Sequence, residues 1–197
     1  MEINVTRIIG IAVAAIFVNN FVFARFLGLC SFIGISKKLD VAVGMGTAMT
    51  FVVTMSSIIT WPLYHFVLVP YKLEYMNIIS FILVIACFVQ LVEFFLRKFN
   101  PALYKALGIY LPLITVNCVV LFVTLLNAMN NLSFPESVVQ GFSAGVGYAM
   151  ALILMTSIRE RLELARIPPA MQGAPLAFII AGLLSLAFMG FSGLTIG

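Results

Sequence analysis

Residues 8–35 read IIGIAVAAIFVNNFVFARFLGLCSFIGI, a run of 28 residues whose apolar character is interrupted by Asn19, Asn20 and Arg25. As one helix it would be about 42 Å long, against a bilayer hydrocarbon core of about 30 Å. It is long enough to cross a membrane and too long and too polar to do so as a single straight rod. A break inside the span is therefore expected. A long tilted helix that carries Cys30 to the cytoplasmic side remains the alternative.

The rest of the chain has the same character. Of 197 residues, 63% are hydrophobic and 9% charged, whereas a soluble domain carries about 25% charged residues. Backbone groups in lipid must pair internally, and long apolar runs without period-2 alternation select helices over a barrel. Apolar segments fall at about 5–35, 41–69, 75–96, 103–128, 136–158 and 173–196. The expected fold is an all-α membrane protein of six transmembrane helices in one domain, residues 1–197, with no room for an extramembrane catalytic domain. The opening MEINVTRIIG runs into a stretch longer than a signal-peptide core and lacks a small-residue cleavage pattern, so it is expected to be retained as the first span.

The basic residues give an orientation. Lys37, Lys38, Arg97, Lys98, Lys105, Arg159, Arg161 and Arg166 lie on the first, third and fifth connections, and only Arg7 and Lys72 lie on the other side. The positive-inside rule places those three connections in the cytoplasm and both termini outside. The net charge of +4 is this topology signal, and no basic face remains for nucleic acid.

The two halves, about 1–100 and 101–197, are weakly alike. Gly44-Met45-Gly46-Thr47-Ala48-Met49 resembles Gly145-Val146-Gly147-Tyr148-Ala149-Met150, and Cys30 in span one corresponds to Cys118 in span four. Three spans per half make such repeats inverted. Span four also contains an irregularity, Leu111-Pro112-Leu113-Ile114-Thr115-Val116-Asn117-Cys118, in which Pro112 removes a helical hydrogen bond. Helices one and four are thus expected to be discontinuous. Broken spans at matching places in inverted halves point to a site near the bilayer midplane, and each break carries a cysteine.

A single buried cysteine is ordinarily a small hydrophobe. Two at equivalent breaks could instead form a disulfide or share a metal. Zinc lacks further ligands, since His65 sits near the outer end of span two beside Trp61 and Tyr64. An iron–sulfur cluster normally takes about four cysteines, so Cys30 and Cys118 would be half a set completed by a second protein. Cys87 has no symmetry mate and is expected to be a packing residue. Arg25 is expected either to hold the broken segment or to snorkel to the interface. Arg159-Glu160-Arg161-Leu162-Glu163 is expected to be a solvated helix end, and is also where a soluble partner would meet the protein. The small-residue pairs Gly44 with Ala48 and Gly141 with Gly145 suit close helix packing. Only Glu93 approaches an intramembrane carboxylate, too little for a pump acting alone.

The stretches Val18-Asn19-Asn20-Phe21-Val22, Phe26-Leu27-Gly28-Leu29-Cys30, Ser36-Lys37-Lys38, 107–118, Ile158-Arg159-Glu160-Arg161 and 187–193 resemble the A-type membrane subunits of the Rnf complexes, ion-translocating ferredoxin:NAD oxidoreductases. The likeness runs through essentially the whole chain and extends to the E-type component of the sodium-translocating NADH:quinone reductase. The resemblance implies a six-helix inverted-repeat protein in a prokaryotic cell membrane. Its implied partners are a homologue of opposite topology, of the Rnf E type, and the B, C, D and G types. It further implies that each member of this homologous pair gives two cysteines to an intramembrane [2Fe-2S] cluster that relays electrons. On this chain those ligands would be Cys30 and Cys118, with no complete active site in the chain alone. Two other functions remain open from the residues themselves: a small secondary transporter with a solute at the two breaks, and a structural scaffold.

Overall fold

The computed structural model describes residues 5–36, 39–72, 74–99, 111–163, 168 and 172–190. Lys37, Lys38, Lys105 and Arg166, four of the basic residues used for orientation, lie outside the described residues, as do 107–110 and 191–193 of the family-like stretches. The described residues form helices joined by short turns and breaks, with no strand among them.

Span one is three helices. The first is α1 (Val5–Val13), which widens into a π-helical turn, Ala14–Val18. After Asn19 and Asn20 comes α2 (Phe21–Arg25), and after Phe26–Gly28 comes α3 (Leu29–Ile35). Next are α4 (Leu39–Leu63), continued by a π-helical turn Tyr64–Leu68, and α5 (Asn77–Phe99). Span four is α6 (Leu111–Thr115) and α7 (Cys118–Met129), followed by α8 (Phe134–Glu163) and α9 (Ala174–Met189). Among the described residues, Leu39–Leu68, Asn77–Phe94, Pro112–Met129 and Phe134–Leu162 are long and apolar enough to cross a membrane, and Thr6–Val18 and Ala174–Met189 are shorter apolar helices.

The breaks differ in detail from the sequence expectation. Span one is interrupted twice rather than once, at Asn19-Asn20 and at Phe26–Gly28, where Phe26 (φ 53°) and Gly28 (φ 77°) adopt left-handed backbone. In span four the break is at Val116-Asn117, beyond Pro112. The Pro112 carbonyl still accepts from Val116 N–H at 3.3 Å, and it is Asn117, in extended geometry (φ −72°, ψ 121°), that restarts the helix.

The frame is the antiparallel pair α4 and α8, brought together by small residues. A Cβ on Gly46 would lie 2.8 Å from Ala149 Cβ, one on Gly145 2.5 Å from Thr50 Cα, and one on Gly141 2.5 Å from Ser57 Oγ. Helices in lipid gain no hydrophobic drive from associating, so close backbone approach is what makes such a seam favourable. The Gly141–Gly145 pair does pack as the sequence suggests, while on α4 the contact falls on Gly46. Hydroxyls near the seam are satisfied within their own helices: Thr50, Thr54, Ser57 and Thr60 donate to the carbonyl four residues back at 2.7–3.0 Å. That keeps polar side chains paired where water is absent. Outward faces are apolar, with Ile79, Leu83 and Phe94 of α5 exposed. In a membrane such faces meet lipid or a neighbouring protein.

Candidate functional site

Helix α8, at 30 residues, is about 45 Å long and serves as a ruler for depth. Its midpoint is at Gly147-Tyr148-Ala149, and both breaks of span one meet it there. Asn20 Nδ2 donates to Gly147 O at 2.9 Å, and a Cβ on Gly28 would lie 3.0 Å from Tyr148 Cε2. Segment 20–28 therefore starts and ends near the same level of α8, at about the middle of that helix. The break of span four is at that level too, because Asn117 Nδ2 donates to Ser31 Oγ, which lies 2.7 Å from Tyr148 OH.

From this level two helices depart in opposite directions. Helix α3 runs toward the C-terminal end of α8, where Arg159 Nη1 donates to Ile33 O at 3.1 Å and to Ser36 Oγ at 2.6 Å. Helix α7 runs toward the N-terminal end of α8, where Asn127 Nδ2 donates to Ser137 O at 3.4 Å. Their N-termini thus converge at mid-depth, with Cys30 the second residue of α3 and Cys118 the first residue of α7.

The sequence builds each half of this junction with an asparagine cap. Asn20 Oδ1 accepts from Val22 N–H at 3.1 Å, and Asn117 Oδ1 accepts from Val119 N–H at 3.0 Å. Both are buried and both donate the remaining amide to a neighbouring segment, Asn20 to Gly147 O of α8, with a second bond back to Ile16 O across the break at 3.2 Å, and Asn117 to Ser31 Oγ of α3. Ser31 completes the network. One assignment satisfies every group: its O–H donates to Gly28 O (3.1 Å), and its oxygen accepts from Asn117 Nδ2 (2.8 Å) and Tyr148 O–H (2.7 Å).

Gly28 is the point of closest approach. Its N–H donates to Cys118 Sγ at 2.9 Å, while Val119 Cγ2 and Asn117 Oδ1 would stand 3.0 and 3.4 Å from any Cβ it carried. The structure thus brings together the two cysteines that the sequence pairs: Cys118 accepts a bond from Gly28 N–H, and Cys30 follows Gly28 by two residues. Both are free thiols exposed at the surface of the chain. Cys87 is also exposed, on α5. Among the described residues no three His, Cys, Asp or Glu side chains gather as a metal set, so Cys87 does not join the pair.

This donor set fits half of an iron–sulfur site. It offers two sulfur ligands facing outward from one junction, one already accepting a backbone hydrogen bond of the kind that tunes such clusters. The fit requires a second protein to supply the remaining ligands.

Two charged residues behave differently from expectation. Arg159 is buried, not solvated, and closes the C-terminal end of α3, while Glu160 Oε1 accepts from Leu39 N–H at 3.0 Å at the start of α4. Nothing in an Arg-Glu-Arg string distinguishes a buried capping arginine from a surface one. Arg25, at the end of α2, is exposed, and its guanidinium stacks over the Phe122 ring at 5.1 Å.

Comparison with known proteins identifies the family. The family model described as "Rnf-Nqr subunit, membrane protein" matches residues 8–195. The A-type component of the ion-translocating oxidoreductase complex of Azoarcus sp. (strain BH72) is 57% identical over 178 residues, covering 90% of this chain and 92% of that protein. The A-type component of the proton-translocating ferredoxin:NAD(+) oxidoreductase complex of Clostridium ljungdahlii is 54% identical, covering 92% and 94%. The Na(+)-translocating counterpart of Acetobacterium woodii is 50% identical, covering 96% and 99%.

Proposed function

Because the chain belongs to the Rnf-Nqr family of membrane subunits, we propose that it is the A-type component of an ion-translocating ferredoxin:NAD oxidoreductase complex, and that Cys30 and Cys118 hold one half of a [2Fe-2S] cluster shared with a homologous protein. The observation that carries the reading is the junction at mid-depth. Two helix N-termini of opposite direction meet at Gly28, each with a cysteine in its first turn, and both thiols face out of the chain.

Such a cluster supplies one-electron chemistry in a region where side chains alone offer none. The chain's own part is to hold it. Gly28 N–H donates to Cys118 Sγ, and the Asn117–Ser31–Tyr148 network keeps the two helix starts in register. The exposure of both sulfurs matches a cofactor completed by another protein. The opposite directions of α3 and α7 support two inverted three-helix repeats within a six-helix fold, with a partner of opposite topology supplying the other two cysteines. Orientation follows the basic residues, with both termini outside a prokaryotic cell membrane and the first, third and fifth connections cytoplasmic. The remaining Rnf components, of B, C, D and G types, would deliver and accept electrons on either side.

The test is to prepare the assembled complex with Cys30→Ser, Cys118→Ser and, as control, Cys87→Ser, and to record the electron paramagnetic resonance spectrum of the reduced enzyme. The intramembrane signal should vanish in the first two and persist in the third. Its survival in Cys30→Ser and Cys118→Ser would overturn the assignment.

A further inference from the structure

We propose that Arg25 is the cationic partner of the redox centre itself: its charge offsets the negative charge of the shared cluster and holds the cluster's potential higher than the two cysteine-bearing helices alone would set it. The inference rests on the reading of Cys30 and Cys118 given above.

The first step is depth. Segment 20–28 contacts the midpoint of α8 at both ends, through Asn20 on Gly147 O and Gly28 against Tyr148. Arg25 between them is therefore near the middle of the membrane, about 15 Å from either headgroup layer. A side chain starting there does not reach the interface, so snorkelling is not available to it.

The second step is the lack of a counter-charge within the chain. Among the described residues no carboxylate pairs with Arg25: Glu136 is engaged by Arg7 at 3.3 Å, Glu160 by Leu39 N–H, Asp40 stands at the start of α4, and Glu93 lies in the last third of α5. Its contact is with the face of Phe122, which attracts a cation without neutralising it. An ionised group at mid-depth is costly unless an opposite charge is supplied, and no carboxylate among the described residues supplies it.

The third step is where the guanidinium lies. Phe122 is four residues beyond Cys118 on α7 and shares its face, so Arg25 stacks one helical turn from a proposed ligand and on the same exposed side. A cluster held by thiolates is anionic when oxidised and gains a further negative charge on reduction. Arg25 thus favours the reduced form. A unit charge about 10 Å away at an effective dielectric constant of about 20 is worth roughly a tenfold change in that equilibrium.

The experiment is a potentiometric titration of the cluster signal in the assembled complex for wild type, Arg25→Lys and Arg25→Gln. Arg25→Gln should titrate lower by about 59 mV, the one-electron equivalent of a tenfold change, while Arg25→Lys stays near wild type. If Arg25→Gln loses the cluster altogether, retention by Arg25→Lys at the wild-type potential supports the charge, and loss in both overturns it. An unchanged potential in Arg25→Gln overturns the inference, as does an equal shift in both variants. Separation of the proteins of the complex without a shift overturns it in favour of a partner carboxylate. A wild-type complex without the signal would overturn the reading of the cysteines and this inference with it, whereas a wild-type signal that Arg25→Gln leaves in place at the same potential overturns the inference alone.

Discussion

Replacing Gly28 with alanine tests the junction at its tightest point. Two costs can be read from the geometry. At φ 77° the backbone is in the left-handed region, which costs a residue with a Cβ about 1–2 kcal/mol. The new methyl would also stand 3.0 Å from both Tyr148 Cε2 and Val119 Cγ2, inside ordinary contact distance, and overpacking of this kind costs about 1–3 kcal/mol. Neither neighbour has room to give. Tyr148 is buried and bonded to Ser31, and Val119 is in the first turn of α7, one residue after Cys118. The expected loss is therefore about 2–5 kcal/mol, taken up in prying α3 from α7 and stretching the Gly28 N–H to Cys118 Sγ bond. Gly34, in the same short helix α3, is the internal control, because its Cβ would meet nothing within 4 Å. Gly34→Ala should be neutral or stabilising by about 0.5–1 kcal/mol. The assay is thermal unfolding of the purified complex together with its iron content. Gly28→Ala should unfold at a lower temperature and carry less iron than wild type, with Gly34→Ala at or above wild type in both. Equal behaviour of the two variants would refute the claim that Gly28 sets the spacing of the two helix starts.

Other substitutions probe the frame around the junction. Arg159→Ala removes the two bonds that hold the end of α3 to α8, leaving Ile33 O and Ser36 Oγ only the 3.4 Å bond that Ser36 O–H donates to Ile33 O, a loss of about 1–3 kcal/mol. Limited trypsin digestion should then cut the Lys37-Lys38 connection faster, and an unchanged rate would show that Arg159 does not hold α3 down. Gly145→Val forces a side chain against Thr50 Cα, where even a Cβ would be 2.5 Å away, so the α4–α8 seam must open and the monodisperse yield in detergent should collapse. Gly182→Ala, with open space around it, should leave that yield intact.

Much of this architecture is legible in the sequence because membrane helices obey few rules. Apolar run length locates the membrane-crossing helices, and excess length together with Asn19, Asn20 and Arg25 locates trouble in span one. The pairing of Cys30 with Cys118 is legible as matched positions in broken spans. What the sequence conceals are the consequences of three-dimensional contact. The second break, at Phe26–Gly28, depends on a left-handed Phe26 that no propensity announces. Within the irregular stretch 111–118 the break falls at Asn117 rather than Pro112, because an asparagine cap can restart a helix and donate its amide to a neighbouring segment, while Pro112 keeps its carbonyl in use. Tyr148 and Ser31 carry no sequence signal beyond being polar in apolar helices, and their role is visible only once Asn117 lies between them. Arg159 is hidden inside an ordinary charged string for the same reason.

The most direct test of the central claim is the amount of iron and acid-labile sulfide bound to the assembled pair of homologous proteins, compared between wild type and a Cys30→Ser/Cys118→Ser double variant that still assembles. Iron and sulfide should be present in equal amounts in wild type and absent from the intramembrane pair in the double variant. Full retention of both without Cys30 and Cys118 would contradict the account.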